Sequence, residues 1–311
     1  MFKLPSPPSP EADSNELADF VELLSWDAGS ASKREVVACL GRVDDNDNNA
    51  GCDDDDDENS AFLDEVMNEI ERRASACGGG YPFRLDHQGT VLRHEAGSAG
   101  IRSVLYRYLL LGTRLNMKDN RIHAGIDGAN LLEEVAANVL RNYLGYSRAH
   151  TSVFGTSVGG TFQAKIERLC AELHEGVGFE SLDDAPVDAN DDKLDAVAWV
   201  PFSDLLPGQL IVFGQCKTGS NWGGLTTQLQ PDAFIKKWMK GTIVVSPIRA
   251  FCISEAADRA RWKGKCTEAG ILLDRCRLVD FCDNLTPDLV DKISHWTNAA
   301  KSASALPRLD T

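Results

Sequence analysis

Two apolar segments on either side of a turn constrain this chain most. The first, Leu194-Asp195-Ala196-Val197-Ala198-Trp199, reads as a strand opened by an acidic residue. A turn carrying Pro207-Gly208 follows. The second strand, Leu210-Ile211-Val212-Phe213-Gly214, runs on into Gln215-Cys216-Lys217. Side chains alternate across a strand, so Gln215 and Lys217 point to the same side. Folding back near Leu206 brings Asp195 beside that pair. A carboxylate, an amide and an ammonium are therefore expected at one end of a sheet.

The elements around this hairpin set the fold class. Upstream, residues 128–145 read as an amphipathic helix closed by a Gly145 stop signal. Leu132, Ala136, Val139, Leu140 and Tyr143 mark its buried face. Glu133 lies on that face too, whereas Glu134 aligns with Asn130, Asn138 and Arg141 on the polar face. A glutamate on an apolar face costs several kcal/mol if charged and unpaired, so something should compensate Glu133. A helix is expected over 160–175, carrying Lys165 and Arg168. Downstream, a helix is expected over 225–239, with Pro231 kinking or restarting it, and another over 256–269, with apolar, β-branched stretches at 242–246 and 248–254 and a final strand over 271–282. The order is helix, strand pair, helix, strand, helix, strand, which is an α/β mixed sheet flanked by helices.

Charge divides the chain. Residues 1–100 hold 8 Lys+Arg against 22 Asp+Glu, a net of −14, while residues 101–311 hold 24 against 25, a net of −1. The first hundred residues are read as an acidic, mainly helical regulatory or interaction module. Its helices are expected over 16–26, 32–42 and 60–76, with a hairpin at 81–93 turning on Asp86-His87-Gln88-Gly89. Residues 1–13, rich in Pro and Ser, are expected to be disordered. The tract Asp44–Glu58 (DDNDNNAGCDDDDDE) is expected to lie in a solvated, disordered loop over 44–59. A nucleic-acid mimic and a docking tail for a basic partner are its two functional alternatives. The nine cysteines are scattered without a C-x-x-C pair, which disfavours a zinc site or a disulfide framework and points to a reducing, cytoplasmic setting. No apolar run approaches the ~18 residues of a membrane span, and no signal-peptide core opens the chain.

The helix glutamate, the strand aspartate and Gln-x-Lys, in this order of elements, resemble the PD-(D/E)xK nuclease superfamily. Gln215 in place of the usual acid, and the helix ending in Leu144-Gly145-Tyr146, are most similar to its Mrr-type branch. The resemblance covers residues 125–285, and Leu194 stands where proline often precedes the aspartate. It implies a restriction-endonuclease-like domain over 101–311 and metal-dependent hydrolysis of phosphodiester bonds, with DNA as substrate. The setting implied is bacterial antiviral defence or restriction. An ATPase, helicase or sensor protein is the implied partner, with self-association a further alternative and no membrane involved. A catalytically inactive nuclease-fold subunit acting as a scaffold is the alternative.

The chemistry of these residues suits that activity. Mg²⁺ or Mn²⁺ takes one or two carboxylates together with waters and substrate oxygens. Asp195 is the expected main ligand, Glu133 a direct or water-mediated one, Gln215 a weak neutral one, and the Cys216 carbonyl a further one. Lys217 is expected to orient the attacking water and offset developing charge. Read singly, Asp195 is a strand-end cap, Lys217 a solvated strand end and the Cys216 side chain a packed thiol. Ser220, Asn221, Trp222, Gln228, Gln230, Lys236, Lys237, Arg249, Arg259, Arg261, Lys263 and Lys265 are candidate substrate contacts, although core packing is the plainer reading of Trp238.

Overall fold

The computed structural model of the protein describes residues 1–9, 11–40, 54–98, 100–155, 159–182 and 192–307, with the backbone alone over 54–61. Helix α1 (Ser14–Ala28) starts where the Asp13 side chain accepts the Glu16 N–H, and ends at Gly29 in the left-handed region. Strand β1 (Ser30–Ser32) leads into α2 (Lys33–Cys39), whose capping box pairs Ser32 with Glu35. Helix α3 (Asp54–Ala76) precedes β2 (Phe83–Leu85) and β3 (Val91–His94), where the Asp86 carboxylate accepts the Thr90 N–H at 2.7 Å and closes the turn. These strands form an antiparallel sheet in the order β1-β3-β2. The hairpin was legible; β1 was not, because Ser-Ala-Ser carries no apolar alternation.

Two expectations for this region are corrected. Residues 1–4 are docked rather than free: Phe2 and Leu4 are buried, and the Leu4 N–H donates to the Arg114 carbonyl at 2.9 Å. Helix α3 begins at Asp54, so 54–59 are helical rather than a loop. The rest of the acidic tract, 44–53, lies outside the described residues.

Helix α4 (Ile101–Arg114), the short pair β4 (Ile122–His123) and β5 (Ile126–Asp127), and α5 (Gly128–Gly145) come next. Then follow β6 (His150–Val153), α6 (Phe162–Leu173), β7 (Ala196–Val200), β8 (Leu210–Lys217), α7 (Pro231–Trp238), β9 (Ile248–Ile253), α8 (Trp262–Ala269), β10 (Ile271–Leu273), α9 (Arg275–Asp280) and α10 (Pro287–Ala303). The five-stranded sheet has the order β10-β9-β8-β7-β6. β6, β7 and β8 are antiparallel, with Ala196 opposite Gly214, while β8, β9 and β10 are parallel. Helices α7 and α8 make the crossovers that parallel strands require. The protein is thus a mixed α/β fold.

Several boundaries depart from the sequence reading. Of the two readings of Pro231, the restart holds: Pro231 opens α7 at its first turn, where its missing N–H costs nothing, and the helix covers Pro231–Trp238 rather than all of 225–239. Residues 242–246 form no strand. The expected strand over 271–282 stops at Leu273, because the Asp274 carboxylate accepts the Arg277 N–H and caps α9. Tyr143 is 44% exposed, so it is not part of the buried face of α5.

Alternation divides the sheet between two layers. Ala196, Ala198, Val212, Cys216, Ala250 and Cys252 face a core shared with α5. Val197, Trp199, Ile211 and Phe213 face a second core built on Phe162, Ile166, Phe234 and Trp238 of α6 and α7. The first core is continuous with α1 and α3, through Leu17, Phe20, Val66 and Ile70, and with α10, through Ile293 and Trp296. Residues 1–100 therefore share one apolar interior with the helical layer of the sheet.

A buried ionic cluster crosses the same junction. Asp19 of α1 meets Arg73 (2.7 Å), Arg114 (2.7 Å) and Arg275 (2.8 Å), all with side chains at most 1% exposed. Glu22 joins through Arg73 at 2.9 Å and accepts the Tyr81 and Tyr106 hydroxyls, each at 2.8 Å. Burial opposes the Asp19 charge, but the guanidiniums of Arg275, Arg114 and Arg73 outweigh it and hold the carboxyl well below its usual range.

Candidate functional site

The site forms where β7 begins and β8 ends. The Asp195 N–H donates to the Gly214 carbonyl at 2.9 Å, one residue before the regular β7–β8 register. Its carboxylate turns onto β8, where Oδ2 accepts the Cys216 N–H at 2.6 Å. Asp195 thus sits on the peptide between Gln215 and Lys217. Its carbonyl accepts two more N–H groups, from Phe154 at 2.9 Å and Gly155 at 3.0 Å. The Asp195 side chain is held by β8, and its main chain by the segment that follows β6.

Glu133 reaches the same point from α5. The Asp127 side chain starts that helix by accepting the Ala129 N–H, and α5 lies close on the sheet because Gly214 leaves room for Leu140. Glu133 is 6% exposed, and its carboxylate packs against Gly155. A Cβ at Gly155 would fall 2.4 Å from the Glu133 Cδ, so no other residue fits there without moving the carboxylate. Gly155 is therefore the joint between Glu133 and Asp195.

Gln215 is fully buried, and its Nε2 donates to Gln228 Oε1 at 3.2 Å. That leaves Gln215 Oε1 buried without a hydrogen-bond partner among the described residues. Lys217 ends β8, half-buried, on the side of the strand that Gln215 occupies. Its carbonyl accepts the Ser254 N–H at 3.2 Å. The Cys216 thiol points the other way, into the first core. It is held well above its usual value by a hydrogen bond with Cys252, then by burial, then by the carboxylates of Asp195 and Glu133. Buried in the first core on the opposite face of the strand from Gln215 and Lys217, the thiol is a packing group.

Sequence reasoning missed Lys165. It is 5% exposed, and its Nζ donates to the Gly155 carbonyl at 2.7 Å, 5.9 Å from the centre of the Phe154 ring. The signal was present, since Lys165 lies three residues after Phe162 and four before Leu169 on the buried face of α6. Gln228, expected as a substrate contact, accepts the Gln215 Nε2–H at 3.2 Å.

The other expected contacts are largely engaged within the protein. The Trp222 indole is buried and donates to Glu255 at 2.5 Å, and Trp238 is core. Lys237 pairs with Asp192 at 3.2 Å, Arg259 with Asp274 at 3.1 Å, and Lys265 with Asp258 at 3.9 Å. Arg249 donates to the carbonyls of Leu229 and Glu268. Beyond Lys217, Ser220 to Gly224 line a cleft of about 500 Å³ together with Glu255 and Lys265.

Among the described residues, no group of three or more His, Cys, Asp and Glu side chains is gathered for a metal ion. The donors at hand are two carboxylates and the unpartnered amide oxygen of Gln215. An all-oxygen set of this kind suits a hard divalent cation completed by water, and it does not suit zinc. Among the described residues no helix is long and apolar enough to cross a membrane. No family model, curated protein or solved structure matches the chain.

Proposed function

We propose that the protein is a metal-dependent nuclease of the PD-(D/E)xK, restriction-endonuclease-like type. The observation that carries this reading is the seating of the Asp195 carboxylate on the Cys216 amide, between Gln215 and Lys217, with Glu133 on the far side of Gly155. Asp195 and Glu133 would hold Mg²⁺ or Mn²⁺, with Gln215 Oε1 and the Cys216 carbonyl as neutral donors. Such an ion supplies polarisation of a phosphoryl oxygen and a lower pKa for a bound water. Lys217 brings positive charge to the same strand end, where it steadies a scissile phosphate and aligns the attacking water. Gln228 keeps the Gln215 amide turned so that its oxygen has no hydrogen-bond partner among the described residues.

The substrate proposed is DNA, in a cytoplasmic defence or restriction setting, with an ATPase, helicase or sensor as partner. The near-neutral balance of residues 101–311 is compatible with phosphate approach to this end of the sheet. One observation favours a second reading, a catalytically silent subunit: the site offers one formal negative charge fewer than an acid in place of Gln215 would give, which weakens cation binding in the absence of substrate. Purified full-length protein with plasmid and linear DNA separates the two. Cleavage that requires Mg²⁺ or Mn²⁺ and stops with chelator supports the nuclease. Cleavage that persists in chelator refutes the metal mechanism, and inactivity with the native partner present favours the scaffold.

A further inference from the structure

Two buried acids, Glu133 and Asp195, are 6% and 7% exposed and both meet Gly155, Glu133 through its carboxylate and Asp195 through its main-chain carbonyl, and both carboxylates act on the neighbouring Cys216. Like charges brought together out of water raise each other's cost, and a compensating cation is required if they remain ionised. Lys165 sits where that compensation is needed. Its ammonium holds the carbonyl of Gly155, the residue whose Cα abuts the Glu133 carboxylate and whose N–H is bound by the Asp195 carbonyl. Glu133 and Lys165 thus meet on two sides of one glycine, and Asp195 pins that glycine from the sheet. Lys165 comes from the first turn of α6, after the Thr161 cap, and its stem is buried, so the charge has little freedom to swing to solvent.

We infer that Lys165 is the internal counter-cation of the Glu133–Asp195 pair, a positioning residue that holds the Gly155 turn against the Glu133 carboxylate and the Asp195 main chain and limits how tightly the two carboxylates take a divalent cation. The first part stands on the geometry alone; the second rests on the metal-dependent reading above. A resident ammonium and an incoming divalent cation repel each other at short range. Glu133 and Asp195 would therefore hold a divalent cation weakly until a phosphate added negative charge at the Lys217 end. Lys165 then acts against idle metal loading, whereas Lys217 acts on the phosphate.

The two parts are tested separately on the whole chain. In a denaturation cycle of Lys165→Met and Glu133→Gln, the fall in folded-to-unfolded ratio caused by Lys165→Met is expected to be at least tenfold smaller when Glu133 is already neutral. Losses that multiply independently overturn the counter-cation role. In calorimetric titration with Mn²⁺ alone, Lys165→Met is expected to bind at least fivefold tighter than the parent, and Lys165→Arg to bind like the parent. Equal or weaker binding by a folded Lys165→Met protein overturns the limit on metal affinity. Where Lys165→Met does not fold, Lys165→Arg decides: parental Mn²⁺ affinity supports the charge role, and failure like the Met protein assigns the position to packing. If the parent itself takes up no Mn²⁺, the metal reading fails while the denaturation cycle still decides the pairing.

Discussion

Asp19 and Arg275, 256 positions apart, form a two-pronged ion pair in which Nη1 and Nη2 reach the two carboxylate oxygens at 2.8 and 3.0 Å. The Arg275 Nε donates to the Ser254 carbonyl at 3.0 Å. Ser254 in turn holds the end of β8, through the Lys217 carbonyl at 3.2 Å and the Gly219 N–H, which its Oγ accepts at 3.1 Å. The first helix of the chain is thereby tied to the residue that follows the candidate site.

Asp19→Ala is therefore expected to destabilise the protein by about 3–5 kcal/mol, since it leaves buried guanidiniums without their partner. Chemical denaturation measures this. Removing residues 1–100 is expected to yield no folded domain, because the truncation also uncovers the core shared by α1, α3 and α4. A soluble 101–311 fragment with a cooperative unfolding transition would contradict that expectation.

Gly155→Ala tests the joint between the two carboxylates. The added methyl meets Glu133 on a backbone pinned by Asp195 and Lys165, so relief must come from the glutamate. A loss of about 1–3 kcal/mol is expected from such overpacking, with loss of cleavage of tenfold or more. Gly159→Ala, where a Cβ meets nothing within 4 Å among the described residues, is the control and is expected to change little.

Glu255 gives a pH signature. Burial raises its carboxyl to about 7, against the pull of the Trp222 N–H and of Arg114. The folded state then holds a proton that the unfolded state has released above about pH 4.5. Stability from this group is full below that pH and is lost as pH rises through about 7. Glu255→Gln is expected to remove this loss, gaining up to about 3 kcal/mol on the parent between pH 5 and 8. Parallel stability profiles for the two proteins would refute the assignment.

The site was legible where chemistry and periodicity coincide. Gln215 and Lys217 stand on a strand with a strong apolar signal, Asp195 immediately precedes another, and Glu133 stands out as an acid on an apolar helix face. The flanking hairpin, the cap at Ser32 and the α/β class follow from equally local rules. What was not legible depends on tertiary partners. β6 and β1 are short strands defined by what they pair with. Phe2, Leu4 and Asp19 look like a tail and a solvated helix; the first core takes in Phe2 and Leu4, and the arginines of α3, α4 and α9 make Asp19 interior. Lys165 carried a visible periodic signal, but its role needed the position of Gly155.

The central claim is that Asp195 and Lys217 occupy one site with different roles. The most direct test is Mn²⁺ titration and DNA cleavage of Asp195→Ala and Lys217→Ala beside the parent. Lys217→Ala is expected to fold, to bind Mn²⁺ like the parent, and to lose ~10²–10⁴-fold in cleavage. Asp195→Ala is expected to lose both binding and cleavage. Near-parental cleavage by Lys217→Ala would contradict the account and leave that lysine a solvated strand end.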